Sequence, residues 1–509
     1  MTKTAPRAFQ SAIADSAISR GNTLAVLPTG IGKTLIAILV IERMMGKGRV
    51  LFLAPTKPLC EQHAKTIEYE LGLELESESL RLVTGAIGAK KRAELWNATI
   101  CVSTPQTVRN DIEKGRMAIN HSLCVFDEAH RAVGNYAYTG VAEACHKAGT
   151  MVLALTASPG GNRERIQEIV DALGVANIEI RTTEDEDVRP YVKRTDIKWL
   201  EVSLPKGHAE AVSMLRELVA QSALALREMG FFAPFNSKKH LVALRAKILA
   251  TKSGVKYAAL SQHATLFGLI HLLELLETQG TGAFLAYVKK MRGKETVTKA
   301  AKRILYDYRF AKILEMVSNS EEHPKLALLV SEIKKLPGKK IIVFAQYRDS
   351  VARIVEELSR NGISAKRFVG KKEGVTLAEQ QETIGQFRRG DFQAMVASSI
   401  GEEGLDIPQV DTVFFFEPVP SEIRSIQRRG RTGRGEAGSV VVLFTKGTRD
   451  EAFLHASRRR EQKMGAIVGR MQSQLSLQNL KNSQAEQNAP KTAPKKRTQS
   501  KISDFMRGG

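Results

Sequence analysis

Cysteine is scarce. Cys60, Cys101, Cys124 and Cys145 are the whole complement of a 509-residue chain, each more than twenty residues from the next. With no Cys-x-x-Cys pair, they supply neither a zinc knuckle nor a disulfide framework. Cys101 and Cys124 lie inside apolar, β-rich runs and read as buried, reduced thiols. Long hydrophobic runs are missing too. The longest unbroken one, Leu35–Ile41, is far short of the roughly 20 residues that cross a bilayer. Met1–Gln10 has no apolar stretch of the kind that heads a secretory signal. The expectation is an intracellular, soluble protein, cytoplasmic or nucleoid-associated, with no signal peptide and no membrane partner. Acidic residues are the third shortage, because 54 Asp+Glu face 76 Lys+Arg and leave +22 at pH 7. Such a surplus favours a polyanionic partner, since cations that neutralise phosphates gain affinity by releasing counterions. A generally solvated surface gives the same number, so the distribution matters more. Residues 206–312 hold 18 Lys/Arg against 7 Asp/Glu, a surplus of 11 in about a fifth of the chain.

What is present suits a globular chain of about three domains: 43% hydrophobic and 26% charged residues. Short β-branched runs alternate with helical patterns over the first 200 residues: Thr23–Leu27, Val50–Ala54, Thr99–Ser103, Leu123–Phe126 and Met151–Leu155. That rhythm predicts βαβ units around a mostly parallel sheet. It returns in Lys340–Phe344, Ala365–Val369, Ala394–Ala397, Thr412–Phe416 and Ser439–Phe444. Between the two, helical patterns dominate, with Leu266, Leu269, Ile270, Leu273 and Leu276 spaced as one amphipathic face. The expected architecture is α/β, two parallel-sheet lobes with a helical domain inserted between them. The boundaries read as 1–200, 201–322 and 323–471. A polar linker over 472–498, too poor in apolar surface to fold, then leads to a short apolar cluster at 499–506.

Three segments carry chemistry. Leu27-Pro28-Thr29-Gly30-Ile31-Gly32-Lys33-Thr34 joins a predicted strand to a predicted helix. Its glycines let the backbone approach phosphates at a helix N-terminus, Lys33 would reach the β/γ-phosphates, and the Thr34 hydroxyl would ligate Mg²⁺. Leu27 stands where the usual first glycine of such a loop would be. Val125-Phe126-Asp127-Glu128 ends an apolar strand in two carboxylates. Asp127 would hold the metal through water, and Glu128 would orient or deprotonate an attacking water. Gln427–Arg434 gathers four arginines into eight residues, of which Arg431 and Arg434 could neutralise charge on a transferred phosphoryl group.

These segments, with Arg7-Ala8-Phe9-Gln10, Ala54–Leu59, Ser103–Gln106, Thr156–Gly160, Val343–Tyr347 and Gly401–Pro408, resemble in order the motifs of superfamily 2 helicases. More narrowly, Asp127–Tyr138, Asp187–Val192 and Leu272–Gly280 resemble the archaeal Hef helicases and their Fanconi anaemia group M relatives. The resemblance runs from about Arg7 to about Met471. It implies RecA-like lobes, ATP with Mg²⁺ as cofactors, and a helical insertion that contacts branched or forked DNA, with 3′→5′ motion. Position by position, it implies that Gln10 reads adenine and that Thr156 with Ser158 couples hydrolysis to lobe movement. Gly404 and Asp406 would lie at the interlobe cleft, Gln427 would sense the γ-phosphate, and Arg431 and Arg434 would be arginine fingers. Thr56, Lys57, Thr104, Gln346 and Arg367 become candidate nucleic-acid contacts, although strand-end capping is the ordinary alternative for the two threonines. The cluster Lys289, Lys290 and Arg292, with Lys294, is the insertion's candidate DNA surface. Hef proteins often continue into a nuclease of the XPF type, and no Glu-Arg-Lys core of that kind occurs here, so a separate nuclease partner stays open. Gln499, Ile502, Phe505 and Met506 resemble the PCNA-interacting peptide that docks on a sliding clamp, with Met506 in place of the usual second aromatic. Double-stranded RNA remains an alternative substrate, because Dicer- and RIG-I-like motors share much of the motif set.

Overall fold

The computed structural model describes residues 2–474, except 29, 158, 161–162, 183, 192–195, 233–237, 253, 294–296, 370–374, 399–409, 419–438, 456–466 and 468. Thr29, Ser158, Lys294, Gly404, Asp406, Gln427, Arg431, Arg434 and the cluster at 499–506 therefore lie outside the described residues.

Seven strands form the first sheet: β1 (Thr23–Val26), β2 (Arg49–Leu53), β3 (Leu80–Val83), β4 (Ile100–Ser103), β5 (His121–Asp127), β6 (Met151–Thr156) and β7 (Asn177–Ile180). They run parallel in the order β3-β4-β2-β5-β6-β1-β7. The pleat explains the composition. Ala25, Phe52 and Val125 pack with Ile36 on one face, while Leu24, Leu53 and Phe126 pack with Tyr138 on the other. Both faces are covered, so the strands read as unbroken apolar runs. β3 and β7, which the sequence reading missed, are edge strands broken by Arg81 and Glu179.

The second sheet contains β8 (Asp196–Val202), β9 (Ile341–Phe344), β10 (Ala365–Phe368), β11 (Ala394–Ala397), β12 (Thr412–Phe415) and β13 (Ser439–Thr445). Its order is β10-β11-β9-β12-β13-β8, again all parallel. β8 corrects the expected boundary at residue 200. It pairs with β13 from Asp196↔Ser439 to Val202↔Thr445 and turns Ile197 and Trp199 onto the second lobe's core. Nothing local in a seven-residue edge strand says which sheet it joins.

Among the described residues, seven helices separate β8 from the rest of its sheet: Lys206–Glu228, Lys238–Ala250, Lys256–Thr278, Thr281–Arg292, Lys299–Leu305 and Tyr308–Ser318 form the insertion, and Pro324–Lys334 packs on the second lobe's core. Lys256–Thr278 is long and apolar enough to cross a membrane by length and composition, but most of it is buried inside the protein. The chain's last described turn departs from the expected limit of the second lobe at 471. Met471 sits in the first lobe's core with Ile467 against it, and Arg163 Nη2 donates to Gln474 Oε1 at 3.1 Å. The apolar side chains of this turn found their cover on the other lobe.

Candidate active site and nucleic-acid contacts

The C-terminal ends of β5, β6 and β1 lie side by side and carry Asp127-Glu128, Thr156 and the loop Leu27–Gly32. In parallel α/β sheets this is the edge where ligands collect. Gly30 and Gly32 take left-handed backbone angles, φ +84° and +88°. A Cβ on Gly32 would run into Gln10 Nε2, and the left-handed backbone makes any other residue strained there. Gln10 is buried, and both ends of its side-chain amide make hydrogen bonds within the chain. Its Nε2 donates to the carbonyls of Ile31 (3.0 Å) and Gly32 (3.3 Å), and its Oε1 accepts from the Arg7 amide at 2.8 Å. In this arrangement Gln10 ties the loop to the first helix, Ala8–Arg20. Lys33 opens the helix Lys33–Met44 and reaches back to the Leu27 carbonyl at 3.4 Å, with Thr34 beside it in the first turn.

Glu128 is strained. Its φ of +51° places a non-glycine residue in the left-handed region, a cost that functional sites commonly retain. Burial alone would raise its carboxyl group, but the His130 contact and the charges of Lys33 and Arg131 outweigh that and hold it well below the usual range. Glu128 is thus a carboxylate at neutral pH, able to accept from a water. His130 Nδ1 lies 3.2 Å from Glu128 Oε2 and 3.3 Å from Thr156 Oγ1. That histidine joins the carboxylate to the end of β6, the link through which the Thr156 segment would respond to hydrolysis. Asp127 Oδ2 meets His63 Nε2 at 2.8 Å, and its carbonyl accepts from the Tyr138 hydroxyl at 2.5 Å. Tyr138 closes the Hef-like segment, but neither its contact nor that of His63 with Asp127 was read from the sequence, because helical residues 11 and 64 positions away give no local sign of it.

The donor set suits Mg²⁺ held by a hydroxyl, one carboxylate and substrate phosphates, since this ion keeps several waters and rarely takes an all-protein cage. Thr34 and Asp127 are the residues that would hold it. Among the described residues no cluster of three or more His, Cys, Asp or Glu forms such a cage.

Thr56 and Thr104 both occupy the N-cap position of a helix, Lys57–Leu71 and Pro105–Glu113, yet neither side chain accepts from its helix's amides. The Thr104 hydroxyl instead meets that of Thr107 at 2.9 Å. Capping therefore does not account for either residue. Lys57 pairs with Glu61 at 3.5 Å on the surface, and Arg367 is exposed on the edge strand β10. Lys289, Lys290 and Arg292 are exposed in the last turn of Thr281–Arg292, where cations also suit the helix dipole.

The segment Leu272–Gly280 plays a role that sequence reading did not foresee. It forms a joint with the second lobe, and both of its carboxylates are inside. Glu277 accepts from Arg216 (2.6 and 3.0 Å) and from the Arg449 amide (3.2 Å). Glu274 accepts from the Tyr347 hydroxyl and lies 3.5 Å from Arg449 Nη1. Lys325, fully buried, pairs with Asp450 and donates to the Thr278 carbonyl at 3.2 Å. The Gln346 amide donates to buried Glu417 beside this network.

Two parallel-sheet lobes, a glycine-rich phosphate-type loop and a strand-terminal Asp-Glu pair define the class of ATP-dependent helicase motors. The comparisons agree. Residues 7–166 match the DEAD/DEAH box helicase family, residues 208–323 match "Putative ATP-dependent RNA helicase, helical bundle", and residues 324–436 match the helicase conserved C-terminal domain. The crystal structure of the Pyrococcus furiosus Hef helicase domain superposes with a TM-score of 0.68 at 43% identity, covering 89% of this chain and 98% of that one. A putative ATP-dependent RNA helicase of Methanocaldococcus jannaschii is 39% identical over 91% of this chain and 61% of its own length. The ATP-dependent DNA helicase mph1 of Sclerotinia sclerotiorum is 33% identical over 85% of this chain and 39% of its own. The chain belongs to the superfamily 2 helicases of the Hef and Fanconi anaemia group M type. It spans less than two thirds of the length of the curated relatives it matches.

Proposed function

We propose that this chain is an ATP-driven DNA translocase that remodels forked or branched DNA, in replication-fork repair and recombination. The observation that carries the reading is the joint between the insertion and the second lobe. A basic helical domain locked to one lobe by buried polar contacts is pulled along when that lobe moves against the other. In this mechanism Lys33 and the loop amides hold the ATP phosphates. Thr34 and Asp127 would hold Mg²⁺, whose charge would offset that of the phosphates. Glu128 orients the attacking water, and His130 passes the change to Thr156. Gly404 and Asp406 would face the nucleotide from the cleft. Gln427, Arg431 and Arg434 would complete the site from the second lobe, and Thr56, Lys57, Thr104, Gln346 and Arg367 would hold the strand. Gln499, Ile502, Phe505 and Met506 would dock on a PCNA-type clamp and keep the motor near forks. A separate nuclease would act where this chain only remodels.

Double-stranded RNA is the second reading, favoured by the RNA-helicase names of the helical-bundle family and of the Methanocaldococcus jannaschii relative. Steady-state ATP hydrolysis with forked DNA, plain duplex and double-stranded RNA separates the two. The fork is expected to stimulate most. Glu128→Gln should bind ATP but lower kcat by a factor on the order of 10²–10⁴. Strongest stimulation by RNA would replace the DNA reading, and wild-type turnover by Glu128→Gln would remove its assigned role.

A further inference from the structure

Two aromatic rings stand in water on the insertion. Tyr306 is 82% exposed and Tyr308 is 81% exposed, on either side of Asp307, where the helix Lys299–Leu305 ends and Tyr308–Ser318 begins. The corner that carries them is well fixed. Asp307 caps the second helix by accepting from the Arg309 amide at 2.9 Å. The Arg309 guanidinium grips the same carboxylate through bonds of 3.0 and 2.6 Å and donates to Gln221 at 2.6 Å. Ile304 and Phe310 anchor the two flanks in the core of the insertion. The rings are therefore presented on a fixed frame, with little ordering left to do when something binds.

Cations interleave with the rings. Lys302 lies one helical turn before Tyr306, and Lys312 one turn after Tyr308, so each ring shares a helix face with a lysine. Lys299 and Arg303 are exposed on the first of these helices. Asp307 is the only acid between Lys299 and Leu314, and Arg309 neutralises it. Among the described residues no carboxylate pairs with Lys299, Lys302 or Lys312. Farther along Tyr308–Ser318, Leu314 and Glu315 share a groove of about 280 Å³ with Lys289 and Arg292, so basic side chains continue past the corner.

We propose that the Tyr306–Tyr308 corner is a stacking platform for unpaired bases of a DNA strand, with Lys302 and Lys312 on the flanking phosphates. This rests on the reading of the chain as a motor for branched DNA and adds what the insertion selects. Cations alone would hold duplex and single strand alike. Exposed π-faces gain only from bases that are not already stacked, which a junction's single-stranded arms supply.

The test uses the full chain and fluorescence anisotropy, with labelled oligothymidylate and a fork bearing single-stranded arms, each over a salt series. Replacing both rings (Tyr306→Ala with Tyr308→Ala) should weaken single-strand binding about thirtyfold or more. The salt slope should stay as in the wild type, because no phosphate contact is lost. The Phe pair should bind as the wild type does. Lys302→Ala with Lys312→Ala should instead flatten the single-strand slope by about 1.4. Equal single-strand binding by the Ala pair and the wild type overturns the platform, whatever forks do. Ring-dependent binding without preference for forks keeps the platform and removes the fork reading. A wild-type chain that binds neither probe overturns both.

Discussion

Glu417 shows what one buried side chain reports about its surroundings. It follows β12, accepts from the Gln346 amide and lies within reach of the Lys325 charge. Burial pushes its carboxyl group up to about 7 despite Lys325. In the unfolded chain it ionises near 4.5, so between about pH 4.5 and 7 the folded state holds the extra proton, and stability falls as pH rises. His323 works in the opposite sense. Burial, helped by Lys325, lowers it to about 3, so its contribution is lost as pH falls below the ordinary histidine value. The wild type alone would show a partly cancelled profile. Comparison with Glu417→Gln isolates the carboxylate. The melting temperature of the wild type relative to Glu417→Gln should drop as pH rises from about 4.5 to 7 and level off above. A flat difference across that window would mean that Glu417 is not held protonated by burial. Gly32 is legible at the same scale, since the spacing of the loop called for glycine there and its left-handed backbone gives the physical reason.

At the scale of elements, the helix Lys256–Thr278 is the instructive case. Its leucines at spacings of three and four predicted one buried stripe, and Leu266, Leu269, Leu273 and Leu276 do pack into the insertion's cores. Toward its C-terminal end the helix is buried all round, Glu274 and Glu277 included, because the second lobe covers the face that a stripe would leave to water. Periodicity reveals the contact within a domain and is blind to the contact between domains, which here is polar. The Lys325–Asp450 pair at this joint is fully inside. Removing one partner of such a pair leaves an uncompensated charge, whereas replacing both by apolar groups can be neutral. Lys325→Met should therefore destabilise by about 3–5 kcal/mol, and Lys325→Met with Asp450→Leu should recover most of the loss in urea unfolding. If the single and double variants unfold alike, the pair does not act as a unit.

For the molecule as a whole, charge and connectivity set the behaviour. The insertion's surplus of cations makes binding to any nucleic acid salt-dependent, and the exposed trio Lys289, Lys290 and Arg292 is the part of it already marked by sequence. Converting all three to Ala should flatten the log K–log salt slope for duplex DNA by up to about 2.7, read from anisotropy titrations. An unchanged slope would make the trio a solvated helix end. Connectivity is the less visible part. β8 comes before the insertion in the chain yet completes the sheet that follows it, and Met471 comes after the second lobe yet lies in the first lobe's core. The chain thus passes from the first lobe to the second before β8 and back before Met471, while the insertion is joined to the second lobe.

The sequence by itself determined most of the strands, the edge strands β3, β7 and β8 excepted, and the glycine-rich turn at Gly30 and Gly32, because these are local. Period-two and apolar runs make strands wherever they fold, and a glycine-rich turn before a helix offers its amides to anions in any context. Only the tertiary structure decided what lies far apart along the chain. It set His63 on Asp127, joined Glu128 to Thr156 through His130, and closed Glu274, Glu277, Lys325 and Asp450 into one buried joint. Buried polar groups take whichever partners the packing supplies, and that choice leaves no periodic trace in the residues that make it.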